Sequence, residues 1–253
     1  MTSEKRVALV TGSGKGVGAG IVRRLCAEGV RCCINCNANR TMAESTLADI
    51  IAAGGEAFIY QADVSREDQL AAMVQAVIDR WGRLDILVNN AAMQPMKFVD
   101  GYDVQTLQWL WEVNIGGYVR AAQLCLPHLR KSPQGRIVNI SSVHSKRPTN
   151  FDAGYAMTKG AIRMFTRELA LELIQDNITV NAIDLGGCTI EFKTGNPTMH
   201  FLTPEDVTNP RMPFRHLHVM PQDVADLVWF LCSEEAGRIN GDGIRLDRGS
   251  VLI

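Results

Sequence analysis

The sequence lacks a hydrophobic run of the length that a membrane span requires. No stretch of about 18 apolar residues occurs in the chain. The opening segment MTSEKRVALVTG also reaches a glycine loop before an apolar signal-peptide core could form. We therefore expect a cytoplasmic protein with no membrane partner.

Net charge is almost absent as well. The 26 basic and 27 acidic residues give a formal charge of -1, and no polybasic tail or acidic disordered segment occurs. A composition of 46% hydrophobic and 21% charged residues is typical of a globular protein. We expect no nucleic-acid partner and favour a small-molecule substrate.

The cysteines do not form the pattern of a disulfide framework. There are seven, an odd number, and Cys32, Cys33 and Cys36 fall in one segment typical of a β-strand. We expect reduced thiols that pack as small apolar groups. Neither these cysteines nor His216 and His218 have further ligands at zinc-site spacing, so no metal site is expected.

Short β-rich runs alternate with helical periodicity along the chain. The predicted strands are RVALV, RCCIN, EAFIYQ, ILVNN, RIVNIS, ITVNAI and a last strand near 244–247. The predicted helices lie at about 21–28, 42–53, 67–81, 105–129, 155–174 and 223–232. This alternation predicts an α/β fold: a Rossmann-type, doubly wound parallel sheet of about seven strands with helices on both faces. The 253 residues suit one such domain over 1–253.

Local signals mark some boundaries. Gly54 and Gly55 suit the end of the second helix, and Ser65 with Asp68 predicts a capping box at the start of the third. From Gly186 to Met220 the periodicity fails and prolines accumulate. A segment of that length predicts a substrate-binding loop or lid at about 186–220.

A glycine-rich segment, TGSGKGVG at residues 11–18, lies between the first strand and the first helix. Glycines let the backbone turn tightly and approach a pyrophosphate at a helix N-terminus. The spacing is G-x-x-x-G-x-G, so a merely tight connection remains an alternative. The predicted dinucleotide-binding residues here are Gly12, Ser13, Gly14, Lys15, Gly16, Val17 and Gly18.

The end of the second strand bears on the choice of dinucleotide. A carboxylate there would accept a hydrogen bond from the ribose 2′-hydroxyl of NAD. The chain has Cys36 and Asn37 instead, while Lys15 and Arg40 can pair with a 2′-phosphate. We expect NADP(H) to be favoured over NAD(H); the alternative is that both cations are ordinary solvated charges.

Tyr155 and Lys159 in the segment AGYAMTK are four residues apart, on one face of the predicted long helix. A tyrosine with a pKa near 10 shuttles protons poorly at neutral pH, and a neighbouring ammonium is expected to lower that pKa. Ser142, at the end of a strand, can hold the substrate oxygen. These three residues predict a general acid/base site.

The glycine segment, NNAA at 89–92, Asn114, Ser142, Tyr155 and Lys159 together resemble the short-chain dehydrogenase/reductase family, essentially from end to end. The resemblance implies that Tyr155 is the general acid/base, that Lys159 binds the nicotinamide ribose and lowers the tyrosine pKa, and that Ser142 positions the substrate oxygen. Asn114 would support a proton-relay water. Further cofactor residues implied in this way are Asp63, Val64, Asn90, Ala91 and Gly186, with a loop cap as the alternative for Asp63.

The family resemblance implies an NAD(P)-dependent dehydrogenase or reductase that forms a homotetramer or dimer. His144 in SSVHS resembles glucose and polyol dehydrogenases, which favours a sugar, polyol or hydroxy acid as substrate, although an exposed loop position is the alternative for this histidine. The other candidates are a 3-oxoacyl thioester reductase, with Lys146, Arg147, Arg211 and Arg215 as a basic patch, and a non-catalytic dinucleotide-binding sensor.

Some positions depart from the family pattern. Leu185 replaces the usual proline before glycine, and Ile190 replaces a threonine that contacts the nicotinamide, although Thr189 could substitute for it. Trp109 and Trp111 are expected in the core or at a subunit interface rather than at the substrate.

Overall fold

The computed structural model describes residues 5–148, 152–188 and 219–250. Its strands are β1 (Val7–Val10), β2 (Arg31–Cys36), β3 (Ala57–Gln61), β4 (Ile86–Asn89), β5 (Arg136–Ile140), β6 (Thr179–Leu185) and β7 (Gly243–Leu246). Its helices are α1 (Gly16–Ala27), α2 (Arg40–Ala52), α3 (Glu67–Trp81), α4 (Val104–Trp111), α5 (Gly117–Leu129), α6 (Ala153–Glu172) and α7 (Pro221–Cys232).

All seven strands form one parallel sheet in the order β3-β2-β1-β4-β5-β6-β7. This confirms the predicted doubly wound fold. The strand order reverses between β1 and β4, because β1 pairs with both β2 and β4. In open α/β sheets, ligands bind at the carboxyl ends of the strands beside such a reversal.

The apolar core is divided between the two faces of the sheet. One face packs against α1, α2 and α7, and the other against α3, α5 and α6. Cys32 belongs to the first layer and Cys33 to the second, because neighbouring side chains in a strand point to opposite faces. These two thiols therefore cannot bind the same metal ion. All seven cysteines are free thiols.

Two boundaries differ from the sequence predictions. The predicted helix at 105–129 is interrupted, because a π-helical turn at Glu112–Gly116 separates α4 from α5. The predicted capping box of Ser65 and Asp68 is wrong: Arg66 occupies the N-cap position of α3, and the Ser65 hydroxyl donates to Asp63 at 2.7 Å. Within the described residues, no helix is long and apolar enough to cross a membrane.

Candidate active site

The glycine loop after β1 is held by one residue of the neighbouring strand, Asn35. Its backbone carbonyl accepts hydrogen bonds from the amides of Ser13 and Gly14, at 2.8 and 3.2 Å. Its side-chain oxygen accepts from the Gly12 amide at 2.9 Å. Ser13 is fully buried and donates its hydroxyl to Val10. Ser13 thus shapes the loop from within, because both its amide and its hydroxyl are bonded inside the protein.

Close backbone approach explains two of the glycines. Gly12 has a φ of +62°, a region that favours glycine. A Cβ on Gly18 would lie 2.6 Å from the Gly12 carbonyl oxygen and 2.7 Å from Nδ2 of Asn90. That Nδ2 donates to the carbonyls of Thr11 and Gly12, at 2.9 and 3.0 Å. The loop is therefore packed against α1, whose N-terminus at Gly16 can receive an anion.

A cleft of about 700 Å³ runs along the carboxyl ends of the strands. Most of the predicted site residues line it: Gly12, Gly14, Lys15, Gly16, Val17, Gly18, Asn37, Asp63, Val64, Asn90, Ala91, Ser142, His144, Tyr155, Lys159 and Gly186. Three do not, namely Ser13, Arg40 and Asn114. The fold thus brings the glycine loop and the predicted acid/base residues into one cleft.

At the glycine-loop end of the cleft, two predicted contacts have other partners. Arg40 is exposed and its Nε donates to Glu44 at 3.0 Å, one turn further along α2. Asp63 accepts hydrogen bonds from the backbone and hydroxyl of Ser65, at 2.9 and 2.7 Å. The Asp63 side chain therefore caps a loop, which was the alternative expected for this residue. It also lines the cleft.

Lys159 is almost fully buried, at 2% exposure. Its Nζ donates to the Ile140 carbonyl at 2.9 Å and lies 5.4 Å from the centre of the Tyr155 ring. Burial disfavours the ammonium and lowers the pKa of Lys159 to about 7.

The pKa of Tyr155 moves in the direction opposite to the one expected. Burial penalises the phenolate and raises this pKa to about 12, and the carboxylate of Asp152 acts in the same direction. A hydrogen bond with Ser142 opposes the shift. Lys159 does not lower the Tyr155 pKa as expected, because burial disfavours the charged ammonium of Lys159. Its Nζ instead donates a hydrogen bond to the Ile140 carbonyl. Tyr155 is thus protonated at neutral pH.

Asn114 lies in the π-helical turn, a conformation often found at functional sites. Its side-chain oxygen accepts from the Met93 amide at 2.8 Å. Its Nδ2 donates to the Met93 carbonyl at 2.9 Å and to the Thr158 hydroxyl at 3.0 Å. The buried side chain therefore joins three segments: the π-helical turn, the loop after β4 and helix α6. It positions this end of the cleft rather than lining it.

His144 lines the cleft next to the predicted acid/base. Its backbone amide donates to the Ser142 hydroxyl at 3.2 Å, and its ring centre lies 6.5 Å from that of Tyr155. The residue is half-buried, and burial lowers its pKa. The exposed-loop alternative for His144 is therefore wrong.

Neither tryptophan of α4 is in the core. Trp109 is 55% exposed and lines the cleft, whereas Trp111 is 52% exposed and does not. The buried position between them belongs to Leu110. Of the two predicted locations, the core is wrong, because the amphipathic face of α4 turns Leu110, not the indoles, toward the interior. The predicted location at a subunit interface stays a prediction.

Several residues considered in the sequence lie outside the described residues. They are Thr189, Ile190, Arg211, Arg215, His216 and His218, together with most of the predicted loop at 186–220.

A comparison with protein families identifies the family of this chain. A family model described as short chain dehydrogenase matches residues 6–198. The chain belongs to the short-chain dehydrogenase family. It is accordingly an oxidoreductase of the class that acts on CH–OH or C=O groups with a nicotinamide cofactor.

Similar proteins cover nearly the whole chain. It is 31% identical to glucose 1-dehydrogenase 2 of Bacillus subtilis (strain 168) over 250 residues, 98% of this chain and 95% of that one. It is 34% identical to 3beta-hydroxysteroid dehydrogenase 1 of Eggerthella lenta over 251 residues, 98% of this chain and 94% of that one. A solved structure, a single-residue variant of actinorhodin polyketide ketoreductase with NADPH, has a TM-score of 0.88 at 29% identity, with 98% of each chain covered.

Proposed function

We propose that the protein transfers a hydride between a nicotinamide dinucleotide and the carbon of a ketone or secondary alcohol, with Tyr155 as general acid/base. One observation carries the proposal: Ser142, Tyr155 and Lys159 line the same cleft as the glycine loop. A dinucleotide held by that loop would reach toward the acid/base residues. When bound, the cofactor supplies or accepts the hydride.

The residues present fit such a cofactor. A Cβ on Gly12 would lie 2.8 Å from the Cα of Ala91, and a Cβ on Gly18 would lie 2.6 Å from the Gly12 carbonyl oxygen, so these glycines let the loop pack closely beside the N-terminus of α1, which can receive a phosphate. Val64, Asn90 and Ala91 line the cleft further along. The cleft volume of about 700 Å³ lies within the range of cofactor sites.

NADP(H) is the cofactor that we favour over NAD(H). Asp63 is the only carboxylate among the described residues that line the cleft, and it already accepts two hydrogen bonds from Ser65. Lys15 lines the cleft and is exposed, so it is available to a 2′-phosphate. Arg40 would first have to leave Glu44. Dissociation constants for NADPH and NADH, with Lys15→Ala and Arg40→Ala, test this choice.

In the proposed reaction, the Tyr155 hydroxyl donates its proton to the substrate oxygen during reduction, and Ser142 donates a hydrogen bond to the same oxygen. Tyr155 carries this proton at neutral pH. Lys159 would bind the nicotinamide ribose, and Asn114 positions the loop after β4.

The substrate classes suggested by the sequence remain candidates. SSVHS and the similarity to a glucose dehydrogenase favour a sugar, polyol or hydroxy acid. Similarity to a 3-oxoacyl-[acyl-carrier-protein] reductase favours a 3-oxoacyl thioester, but Lys146 of the basic patch already pairs with buried Asp184 at 3.5 Å. The non-catalytic sensor would require that Ser142, Tyr155 and Lys159 take part in no turnover.

We also propose that the protein is a cytoplasmic homo-oligomer, either a tetramer or a dimer. The free cysteines suit a reducing compartment. Met157, Met164 and Leu171 of α6 are 54–67% exposed and seven residues apart, so they form one apolar stripe. A second copy of the chain would cover this stripe.

Oxidation of NADPH and NADH, followed at 340 nm with keto-sugars, cyclic ketones and acetoacetyl thioesters, tests the proposed function. Turnover that is lost in Tyr155→Phe supports it. A protein that binds NADPH but turns over no carbonyl or alcohol would instead be the sensor.

A further inference from the structure

We propose that Trp109 and Met96 bind an apolar ring of the substrate, so that the preferred substrate is a cyclic ketone or the corresponding secondary alcohol. This inference rests on the proposed function, since it concerns the same cleft. It departs from the sugar or polyol that the SSVHS segment favoured.

Four large apolar side chains of the cleft come from the loop after β4, from α4 and from the π-helical turn. They are Met93, Met96, Trp109 and Val113, which we call the wall. Trp109 and Met96 keep 55% and 44% of their surface exposed. Large apolar side chains that face a cleft instead of the core are typical of a ligand-binding wall. An indole ring offers such a ligand a flat contact surface.

This wall lies close to the acid/base residues. Leu110, next to Trp109 in the chain, packs against the first turn of α6: a Cβ on Gly154 would lie 2.9 Å from its Cδ2. Tyr155 is the next residue. The backbone of Met93 is joined through Asn114 to Thr158 of the same helix. A substrate whose oxygen meets Tyr155 would therefore place its body against the wall.

The wall offers few partners to a substrate rich in hydroxyl groups. Ser142 and Tyr155 are occupied by the reacting oxygen in the proposed reaction. Among the described residues, Gln94, which follows Met93, and His144, whose ring contacts that of Tyr155, are the polar side chains that line the cleft next to these residues in the chain or in ring contact with them. Each further sugar hydroxyl would lose hydrogen bonds to water on entry, which costs free energy. An apolar ring loses none.

Hydrogen bonds within the protein hold the backbone of Met96 in an uncommon conformation without any ligand. Met96 and Asp152 have φ values of +58° and +65°, which non-glycine residues rarely adopt. The Met96 amide donates to the Asp152 carboxylate at 3.0 Å, and the Asp152 amide donates to the Lys97 carbonyl at 3.0 Å. The Tyr102 hydroxyl donates to the same buried carboxylate. Such strain persists only where surrounding bonds hold it, commonly at ligand sites.

Trp111 provides a matched control for Trp109. Both indoles belong to α4 and are exposed to nearly the same degree, but only Trp109 lines the cleft. The test compares Trp109→Ala with Trp111→Ala on a bicyclic ketone such as 1-decalone, a small acyclic ketone and a keto-sugar. We expect wild type to prefer the bicyclic ketone. Trp109→Ala should lower the ratio of kcat/KM for the bicyclic ketone to that for the acyclic ketone at least about ten-fold, and Trp111→Ala should leave this ratio unchanged.

Binding without turnover separates this inference from the proposed function. Addition of the bicyclic alcohol should shift the intrinsic fluorescence emission of wild type and Trp111→Phe to shorter wavelength, because an apolar ring on Trp109 excludes water from the indole, but should not shift that of Trp109→Phe. Preference of wild type for the keto-sugar, equal effects of the two alanine variants, or an emission shift that survives in Trp109→Phe would each overturn the inference. Loss of all Tyr155-dependent turnover, with this emission shift intact, would instead contradict only the proposed function.

Discussion

Among single residues, Lys159 gives the clearest dependence of stability on pH. Burial lowers its pKa to about 7 in the folded state, whereas the unfolded chain restores the ordinary value of 10.5. Above pH 7 the unfolded state therefore binds more protons, and the free energy of unfolding rises with pH, by at most about 1.4 kcal/mol per unit. Buried thiols such as Cys33, whose pKa is raised, act oppositely once the pH exceeds their ordinary value of 9.0.

The useful window for this prediction is thus about pH 7 to 8.5. Denaturant unfolding of the cofactor-free protein should show the rise in wild type and in the exposed control Lys131→Met, but not in Lys159→Met. An equal slope in all three proteins would show that Lys159 has no lowered pKa.

Residue identities explain which parts of the site could be found from the sequence. Ser142, Tyr155 and Lys159 were identified by their order and spacing, and the structure places all three in one cleft. Asn35 was missed, although a single amide within the apolar run RCCINC was a signal. Its role depends on the pairing of β2 with β1, which places it beside the glycine loop.

At the level of elements, the first turn of α1 should tolerate no side chain at Gly18, because it packs against the preceding glycine loop. A Cβ there would lie 2.6 Å from the Gly12 carbonyl oxygen. Overpacking of this kind costs about 1–3 kcal/mol, so Gly18→Ala should raise the dissociation constant of NADPH about ten-fold or more. Gly101→Ala is the control, because a Cβ there meets only the Cβ of Lys97, at 3.8 Å.

Titration of NADPH fluorescence measures both constants, and circular dichroism checks that both variants fold. Equal affinities for Gly18→Ala and wild type would remove the glycine loop from the cofactor site.

Element boundaries followed the sequence where periodicity was strong. Helix α3 spans Glu67–Trp81, as predicted, because its apolar face repeats regularly. The π-helical turn at Glu112–Gly116 was not foreseen. Such a turn has one residue more than an α-helical turn, and its residue composition does not distinguish it from the helices beside it. The hydrogen bonds that stabilise it join Asn114 to segments that are distant in the sequence.

At the scale of the whole molecule, the apolar stripe on α6 predicts self-association. Light scattering coupled to gel filtration should give wild type a mass that is a multiple of 27.8 kDa. Met164→Glu places a charge in the stripe and should shift the protein toward smaller species, because a buried unpaired charge is costly. Met42→Glu on α2, also at an exposed methionine, should leave the mass unchanged. A monomeric wild type would contradict this interface.

The parallel sheet with its seven strands was predictable because strands and helices alternate without interruption up to β6. The proposed wall was not, because it combines the loop after β4 with the exposed face of α4 and lies beside the start of α6. These segments are far apart in the sequence, and hydrogen bonds such as that from Met96 to Asp152 join them.

Transfer of deuterium tests the central claim most directly. NADPH deuterated at its hydride-donating carbon is incubated with the best ketone of the panel, and the product alcohol is analysed by mass spectrometry. The proposed function predicts one deuterium at the carbinol carbon, formed about 100 to 10,000 times more slowly by Tyr155→Phe. Product without deuterium, or the same rate in Tyr155→Phe as in wild type, would contradict it.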